Sequence, residues 1–185
     1  MKIVLASKSP RRKELLSLLD LDFEIITADI DETMNPSLPV TDEVTRISYE
    51  KAVAVASGLT PDTIIISADT IVELDGELMG KPTNETDAAQ MLGSLSGKTH
   101  NVHTAVTVLR GDKHKTRVVT TAVTFRDITD EEITAYIDTL EPMDKAGAYG
   151  IQGRGSKFVS GINGDYFNVV GLPVCTLYTM LKDFD

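Results

Sequence analysis

The sequence predicts an α/β fold built from one chain of 185 residues, with room for two lobes that share a sheet. Segments rich in β-branched residues alternate with segments whose apolar residues recur every three or four positions, which indicates strands interleaved with helices. Hydrophobic residues make up 42% and charged residues 25%, so a packed core is expected rather than disorder. The chain has no internal repeat, low-complexity tract or linker-like stretch, and we expect a single domain over residues 1–185.

The first part of the chain is expected to contain four strands and two helices. The strands are predicted over residues 2–6, 23–27, 63–74 and 77–79. Ser9 is a good helix cap and Pro10 suits a first helical position, so a helix should begin there. A second helix should run from Thr41 to just before Gly58. An Asp-Gly pair at residues 75–76 indicates a hairpin between the last two strands.

Further along, a third helix should begin at Asn84 or Thr86 and stop at Gly97. Thr129 and Glu132 have the spacing of a capping box, which predicts a fourth helix. The apolar stripe of that helix is expected to be Ile133, Tyr136, Ile137 and Leu140. Two strands are predicted between these helices, over residues 101–109 and 117–125.

The last quarter of the chain is rich in glycine. Residues 142–168 are expected to form loops, with a hairpin around Asn163-Gly164. Gly171-Leu172-Pro173 should open a final helix with proline in its first turn.

Charge and composition exclude several classes of function. The net charge of −10 opposes non-specific binding to nucleic acid or to an anionic membrane, so neither is an expected partner. No apolar run approaches the roughly 20 residues that span a bilayer, and the first six residues are too short for a signal-peptide core. The single Cys175 excludes an internal disulfide and a thiolate metal cluster, and it suits the cytoplasm.

Two arginines lie where a helix normally avoids cations. If Ser9 caps the helix, Arg11 and Arg12 fall in its first turn, where the helix dipole already places partial positive charge. Free backbone N–H groups and two guanidinium groups would together bind a phosphate well. Lys8 and Lys13 extend the pair into the positive patch that a phosphate-bearing substrate would need. The alternative is a solvated run of charge, in which each misplaced cation costs well under roughly 1 kcal/mol.

An aspartate interrupts the most apolar predicted strand. Asp69 lies within residues 64–72, and a buried carboxylate there must face a cleft, be paired or bind a metal. A structural aspartate bonded to a turn is the alternative. Glu32 in the acidic loop 29–32 is a candidate second metal ligand, with a solvated acid as its alternative, whereas Asp29 and Asp31 are expected to have no role in the site.

Three further side chains are candidates for contacts with a substrate. Lys51 lies on the apolar stripe of its helix, so it should either meet an anion or extend outward to solvent. Lys81 follows a hairpin strand and could reach phosphates, although its Gly-Lys-Pro context is not a Walker loop. Gln152, in a glycine-rich loop, could recognise a base through its amide, or the loop could be an ordinary turn.

The two histidines at His100 and His103 are a poor metal pair, because residues three apart on a strand face opposite sides. No Ser-His-Asp arrangement and no dinucleotide fingerprint is visible in the sequence.

Several short motifs, in order along the whole chain, resemble one known family, the Maf (septum-formation-inhibitor-like) nucleotide pyrophosphatases. The matching blocks are Ala6-Ser7-Lys8-Ser9-Pro10-Arg11-Arg12, Ser67-Ala68-Asp69-Thr70, Gly80-Lys81-Pro82, Leu95-Ser96-Gly97, the run from Glu141 to Gly153, Gly164-Asp165-Tyr166 and Val170-Gly171-Leu172-Pro173. No block is specific alone, but together they are highly specific.

The resemblance implies an elongated mixed β-sheet with flanking helices, in two lobes around a nucleotide-binding cleft. It also implies a divalent metal cation, Mg²⁺ or Mn²⁺, a water nucleophile and release of pyrophosphate. The combination of Arg11, Thr70 and Gln152 resembles that of the family branch that acts on dTTP and UTP. The resemblance also implies modified pyrimidine triphosphates as substrates. Ser7 is carried over as a substrate-binding residue, and a homodimer is a further expectation.

The mechanism that follows is a hypothesis with named roles. Glu32 and Asp69 would hold the metal, and Asp69 would orient or deprotonate the attacking water. Arg11, Arg12 and two lysines, Lys51 and Lys81, would neutralise the triphosphate. Thr70 and Gln152 would help to select the base.

Two other functions are open at this point. The chain could bind nucleotide as a regulator of cell division with little catalysis. It could also be another phosphohydrolase, which releases orthophosphate from the γ-position or acts on purine triphosphates.

Overall fold

The structure, a computed structural model, describes residues 2–27, 29–35 and 37–184, in which helices and strands are interleaved. Within these residues the strands are β1 (Ile3–Leu5), β2 (Glu24–Ile25), β3 (Ile64–Leu74), β4 (Glu77–Met79), β5 (Thr99–Arg110), β6 (Lys113–Phe125) and β7 (Val159–Asn163). The helices are α1 (Pro10–Ser17), α2 (Val40–Ala56), α3 (Glu85–Leu95), α4 (Asp130–Ile137), α5 (Tyr166–Val170) and α6 (Val174–Leu181). Short 3₁₀ helices cover Glu141–Asp144, Ala146–Ala148 and Arg154–Phe158.

The seven strands form one mixed sheet in the order β2-β1-β3-β5-β6-β7, and β4 pairs with β3 outside this path. β1 runs parallel to β2 and to β3, whereas β3 with β4 and β6 with β7 are antiparallel pairs. The predicted α/β class with a mixed sheet flanked by helices is therefore confirmed. None of the helices within the described residues has the length and apolar character that crossing a bilayer requires.

The chain divides into two compact units, which are described separately. The first unit comprises Met1–Asp69, Thr104–Val119 and Gly171–Asp185. One of its apolar clusters consists of Val4, Ala6, Ala52, Val55, Ile65 and Leu109. The second unit comprises Thr70–His103 and Thr120–Val170. Its core includes Val72, Leu92, Val123, Phe125, Tyr136, Ala148 and Phe158.

α2 has the amphipathic form that its sequence predicts. Val44, Ile47 and Val55 are buried on one face, and Lys51 lies on the same stripe. Its first turn carries Asp42, and the positive end of the helix dipole stabilises that negative charge. This packing fixes the helix axis against the core and thereby directs Lys51 inward.

The capping box that the sequence predicts for α4 is confirmed. The Thr129 hydroxyl accepts from Glu132 N, and the Glu132 carboxylate accepts from Thr129 N. Leu140, however, is not part of the apolar stripe of this helix. The helix ends at Ile137, and Leu140 adopts a left-handed conformation with φ +59° and is 63% exposed.

The hairpin expected around Asn163-Gly164 was wrong. β7 pairs with β6, and after Gly164 the chain enters α5 instead of a returning strand. A Cβ on Gly164 would lie 2.7 Å from Thr121 Oγ1, and Asp165 N donates to that same hydroxyl. The glycine therefore serves a close approach to β6 rather than a hairpin turn.

Several element boundaries also differ from expectation. β5 continues to Arg110 and β6 begins at Lys113, so both strands extend beyond their apolar residues towards the turn that joins them. Ladder hydrogen bonds join backbone groups and do not require apolar side chains. Pro173 caps α6 instead of lying in its first turn. The hairpin at Asp75 and Gly76 is present, with φ of 52° and 88°, as a primed turn needs.

Candidate functional site

The first turn of α1 carries the two arginines, as the sequence predicts. Ser9 caps the helix, and its hydroxyl accepts from Arg12 N at 3.4 Å. The Ser7 hydroxyl accepts in turn from Ser9 N at 3.2 Å. No acidic residue lies in this turn, so its positive end is not neutralised locally and can attract an anion.

Arg12 is anchored at both sides of its guanidinium group. Its Nε donates to the Gly171 carbonyl at 2.8 Å, and Nη1 donates to Ser7 Oγ at 3.4 Å. Burial lowers the pKa of Arg12, while the charges of Asp69 and Glu32 act in the opposite direction. A guanidinium group keeps its charge in a protein, so Arg12 is a fixed cation near these carboxylates.

Asp69 meets an ammonium group near the middle of β3. The residue is 8% exposed, and its Oδ1 accepts from Lys51 Nζ at 2.7 Å. Lys51 Nζ also lies 3.0 Å from Glu32 Oε1. The side chains of Lys51 and Asp69 are 13% and 12% exposed. Lys51 thus meets anions instead of extending to solvent, and Asp69 is paired.

The geometry of this trio suits a cation bound together with a phosphate. Glu32 and Asp69 direct carboxylate oxygens at one nitrogen, and oxygen ligands of this kind are those that Mg²⁺ prefers. Among the described residues no group of three or more His, Cys, Asp or Glu could hold a metal ion. A divalent ion here would therefore need ligands from a substrate and from water.

The other acids of the loop that carries Glu32 have local structural roles, as expected. Asp29 forms an exposed ion pair with Lys8 at 2.6 Å. Asp31 accepts from Thr33 N at 2.9 Å, which is a side-chain turn typical of aspartate.

The remaining candidates belong to the second unit. Thr70 follows Asp69 on β3 and is half-buried. Lys81 is exposed in the loop after β4, where the Gly80 carbonyl accepts from Gly147 N at 3.1 Å. Gln152 is exposed within residues 150–155. The structure therefore brings Ser7 to Arg12 and brings Glu32 and Lys51 to Asp69 within the first unit, and it places three candidates in the second.

The two histidines of β5 have different partners. His100 Nε2 lies 2.8 Å from the Tyr149 hydroxyl. His103 Nδ1 lies 2.8 Å from Thr120 Oγ1, and its Nε2 is 3.5 Å from Glu73 Oε2. Both rings are buried.

Acidification should destabilise the protein through His100. Burial lowers the pKa of His100 from its usual 6.5 to about 4, so below pH 6.5 the unfolded chain takes up a proton that the folded imidazole does not. The stability that neutral His100 provides is complete above that value and falls as the pH drops. We expect a loss of about 2 kcal/mol by about pH 5.

Urea denaturation at about pH 7.5 and about pH 5 would measure this loss as the change in the free energy of unfolding. His100→Gln should reduce the difference between the two pH values. His114→Gln, which removes an exposed imidazole, is the control and should leave the difference unchanged. An equal pH dependence in wild type and His100→Gln would contradict the prediction.

Sequence reasoning missed two parts of the site. It assigned no role to the Gly171 carbonyl, and no local signal could have revealed it, because every residue carries the same carbonyl group. It also gave Glu141 no role, although Glu141 accepts hydrogen bonds from Tyr136, Arg154 N and Gly155 N. A carboxylate followed by a glycine-rich run was the available signal.

Comparison with known proteins finds relatives that match this chain over its full length. A dTTP/UTP pyrophosphatase of Bacillus cereus (strain G9842) is 49% identical over 184 residues, covering 100% of this chain and 96% of the relative. One of Bacillus cereus (strain AH187) is 50% identical with the same coverage. The structure of the Staphylococcus aureus Ham1 protein shares the fold, with TM-score 0.54, 15% identity and full coverage of both chains.

A comparison with protein families also gives a match. Residues 2–184 match the family described as Maf-like protein. The match runs over nearly the whole chain, as do the relatives at 49% and 50% identity. This chain therefore belongs to the Maf-like protein family.

Proposed function

We propose that this protein hydrolyses dTTP and UTP to the nucleoside monophosphate and pyrophosphate. The observation that carries the proposal is the meeting of Asp69, Glu32 and Lys51 near the anchored Arg12. This arrangement brings together a carboxylate on a strand, a second acid and fixed cations. These are the groups that phosphoanhydride hydrolysis needs. Relatives about half identical over their length carry the name dTTP/UTP pyrophosphatase.

Phosphate binding is assigned to the cations and to one hydroxyl. Arg11 and Arg12 at the start of α1 would bind phosphate oxygens together with the backbone N–H groups of that turn. Ser7 would help by holding the Arg12 guanidinium and by offering its hydroxyl. Lys51 and Lys81 would neutralise further charge, increasingly on the departing pyrophosphate.

A divalent cation, Mg²⁺ or Mn²⁺, is assigned to Glu32 and Asp69. Their carboxylates already converge on one cationic group, the Lys51 ammonium, and hard oxygen donors fit either ion. When bound, the ion would polarise the phosphate and favour water ionisation.

The chemical step follows from the position of Asp69. Its carboxylate would orient a water molecule and accept a proton as the water oxygen bonds to the α-phosphorus. The bond from the α-phosphorus to the bridging oxygen breaks, and pyrophosphate leaves with the electron pair. Lys51 holds the Asp69 carboxylate in place before the reaction, because its ammonium donates to Oδ1.

Base selection is assigned to Thr70 and Gln152. A carboxamide can pair with the donor and acceptor edge of uracil or thymine, and a mismatched base would leave buried polar groups without partners. Modified pyrimidine triphosphates that keep this edge would also be substrates.

Product identification tests the proposal. The purified protein is incubated with dTTP, UTP, dGTP and ATP in the presence of Mg²⁺ or Mn²⁺, and the products are separated by chromatography. We expect dTMP or UMP with pyrophosphate. Orthophosphate would identify attack at the γ-position, and binding without any product would favour a nucleotide-binding regulator of division.

Removal of metal should stop turnover but leave the fold intact. EDTA is expected to abolish pyrophosphate release, and added Mg²⁺ or Mn²⁺ to restore it. Lys51 pairs with both carboxylates and the charge of Arg12 also acts on them, so cations offset their repulsion without an ion, and the thermal midpoint should shift by less than about 2 °C. Undiminished turnover in EDTA would exclude a metal requirement.

A homodimer and a cytoplasmic location stay predictions of the sequence.

A further inference from the structure

In the second unit, a half-buried carboxylate holds the segment that carries Gln152. Glu141 begins a 3₁₀ helix and accepts three hydrogen bonds. Its Oε2 accepts from Arg154 N at 3.0 Å, and its Oε1 accepts from the Tyr136 hydroxyl at 2.9 Å and from Gly155 N at 3.4 Å. Two of the three donors are main-chain groups of residues 150–155, so the carboxylate fixes the course of that backbone.

Tyr136 holds the other end of the same segment. Its ring is 1% exposed, and its hydroxyl accepts from Gly150 N at 3.1 Å while donating to Glu141. Burial raises the pKa of Glu141, but hydrogen bonds from Arg154 N and Tyr136 outweigh it, and the pKa lies below its usual value. The acceptor is thus an ionised carboxylate, and hydrogen bonds to charged groups are about twice as strong as neutral ones.

Close contacts of the glycines in this segment point independently to the same network. A Cβ on Gly153 would lie 2.2 Å from Glu141 Oε1, and one on Gly155 would lie 2.8 Å from the Tyr136 hydroxyl. A Cβ on Gly150 would lie 2.7 Å from Lys145 Cε. The segment therefore packs directly on these side chains, and a Cβ at any of the three positions would require a neighbouring group to shift.

The backbone before Glu141 is strained. Leu140 has φ +59°, a conformation that costs a non-glycine residue roughly 1 kcal/mol or more. Its side chain is 63% exposed, so burial of leucine does not offset this cost. The bonds that Glu141 makes immediately after the turn do offset it, and strain retained in this way is typical of functional segments.

We propose that Glu141 is a positioning residue for base selection, which acts by fixing residues 150–155 and thereby the placement of Gln152. The inference rests on the proposed function, in which Gln152 recognises the pyrimidine base. Gln152 lies between two fixed points, Gly150 on Tyr136 and Arg154 on Glu141. Recognition of one base edge by one amide depends on placement to a fraction of an ångström, so loosening the segment should reduce discrimination more than overall binding.

The test compares binding of α,β-imido-dTTP and α,β-imido-dGTP, which cannot be cleaved at the scissile bond, by calorimetry with Mg²⁺. Glu141→Gln keeps the size of the side chain but removes the charge and turns one acceptor into a donor that faces Arg154 N. We expect affinity for the dTTP analogue to fall about tenfold, because the Gln152 amide is no longer held against the base edge, and affinity for the dGTP analogue to fall by no more than about twofold.

A second readout does not depend on ligand. Amide hydrogen exchange of residues 150–155 should become faster in Glu141→Gln, with α4 still protected. Tyr136→Phe should act in the same direction, since it removes the partner of Gly150 N. Glu132→Gln is the matched control, because this acid of the same unit bonds Arg126 and Thr129 N. It should change neither readout.

Two outcomes would overturn the inference. If Glu141→Gln bound both analogues with the same affinity ratio as the wild type, whether or not both affinities fell, Glu141 would not act on base selection. Absence of discrimination in the wild type would overturn it as well. Failure of the proposed hydrolysis is distinguishable, because it would appear as intact discrimination between the analogues with no pyrophosphate released from dTTP.

Discussion

Asp69→Asn should fold normally and lose turnover of dTTP by at least about 10³-fold, because the loss of a general base removes a factor of this order. The asparagine has the shape of aspartate, and its Oδ1 can still accept from Lys51, which retains Glu32 as a charged partner. Asparagine cannot take a proton from water, however, and it is a weaker ligand for a divalent cation. The chemical step should therefore fail while the core of β3 stays intact.

Pyrophosphate release at saturating dTTP measures this effect, and thermal unfolding checks the fold. Asp62→Asn is the matched control in the same unit, because the Asp62 side chain is 96% exposed and lies 3.7 Å from Arg110. The control should turn over at the wild-type rate. If Asp69→Asn kept a rate within about tenfold of wild type, far less than loss of a base requires, Asp69 would not be the catalytic base.

Arg12→Ala should lower kcat/KM for dTTP by about 10² to 10³-fold, the range expected when a fixed cation is removed from developing phosphate charge. Arg12 is held by the Gly171 carbonyl and by Ser7, so its guanidinium is in place before the substrate arrives. Arg12→Lys should be intermediate, because lysine keeps the charge but lacks the planar fork that reaches both anchors.

Steady-state kinetics on dTTP separate these variants, and Lys13→Ala serves as the control. Lys13 is an exposed cation of the same helix, and its removal should change kcat/KM by less than about twofold, as for most surface substitutions. Unchanged kinetic constants in Arg12→Ala would leave Arg12 with a purely structural role, that of linking α1 to Gly171 in the segment between α5 and α6. A fall in thermal stability alone would be the sign of that role.

Local sequence patterns were enough to predict most of the secondary structure. The capping residues Ser9 and Thr129, the Asp75-Gly76 turn and the apolar stripe of α2 act over a few residues, so each can be recognised without the fold. The hairpin around residues 163–164 failed for the converse reason. An Asn-Gly pair permits a tight turn, but contact with Thr121, more than forty residues earlier, decides what Gly164 does.

The candidate site divides in the same way. The position of Lys51 on an apolar stripe and of Asp69 inside an apolar strand marked both as candidates for a partner, because a charge is costly to bury alone, although Lys51 could also have extended to solvent and Asp69 could have faced a cleft. Neither pattern could show that they are partners of each other, with Glu32 as a third member. That fact depends on how α2 packs against β3, which is a property of the whole first unit.

Residue types and their spacing therefore settled most of the elements and which charges are out of place, because these depend on near neighbours along the chain. The tertiary structure alone decided which carboxylate meets Lys51, which carbonyl anchors Arg12 and which acid holds the Gln152 segment. Each of these contacts joins residues from separate segments. Hydrogen bonds and ion pairs are specified by distances of a few ångströms, and only packing of the folded chain sets those distances.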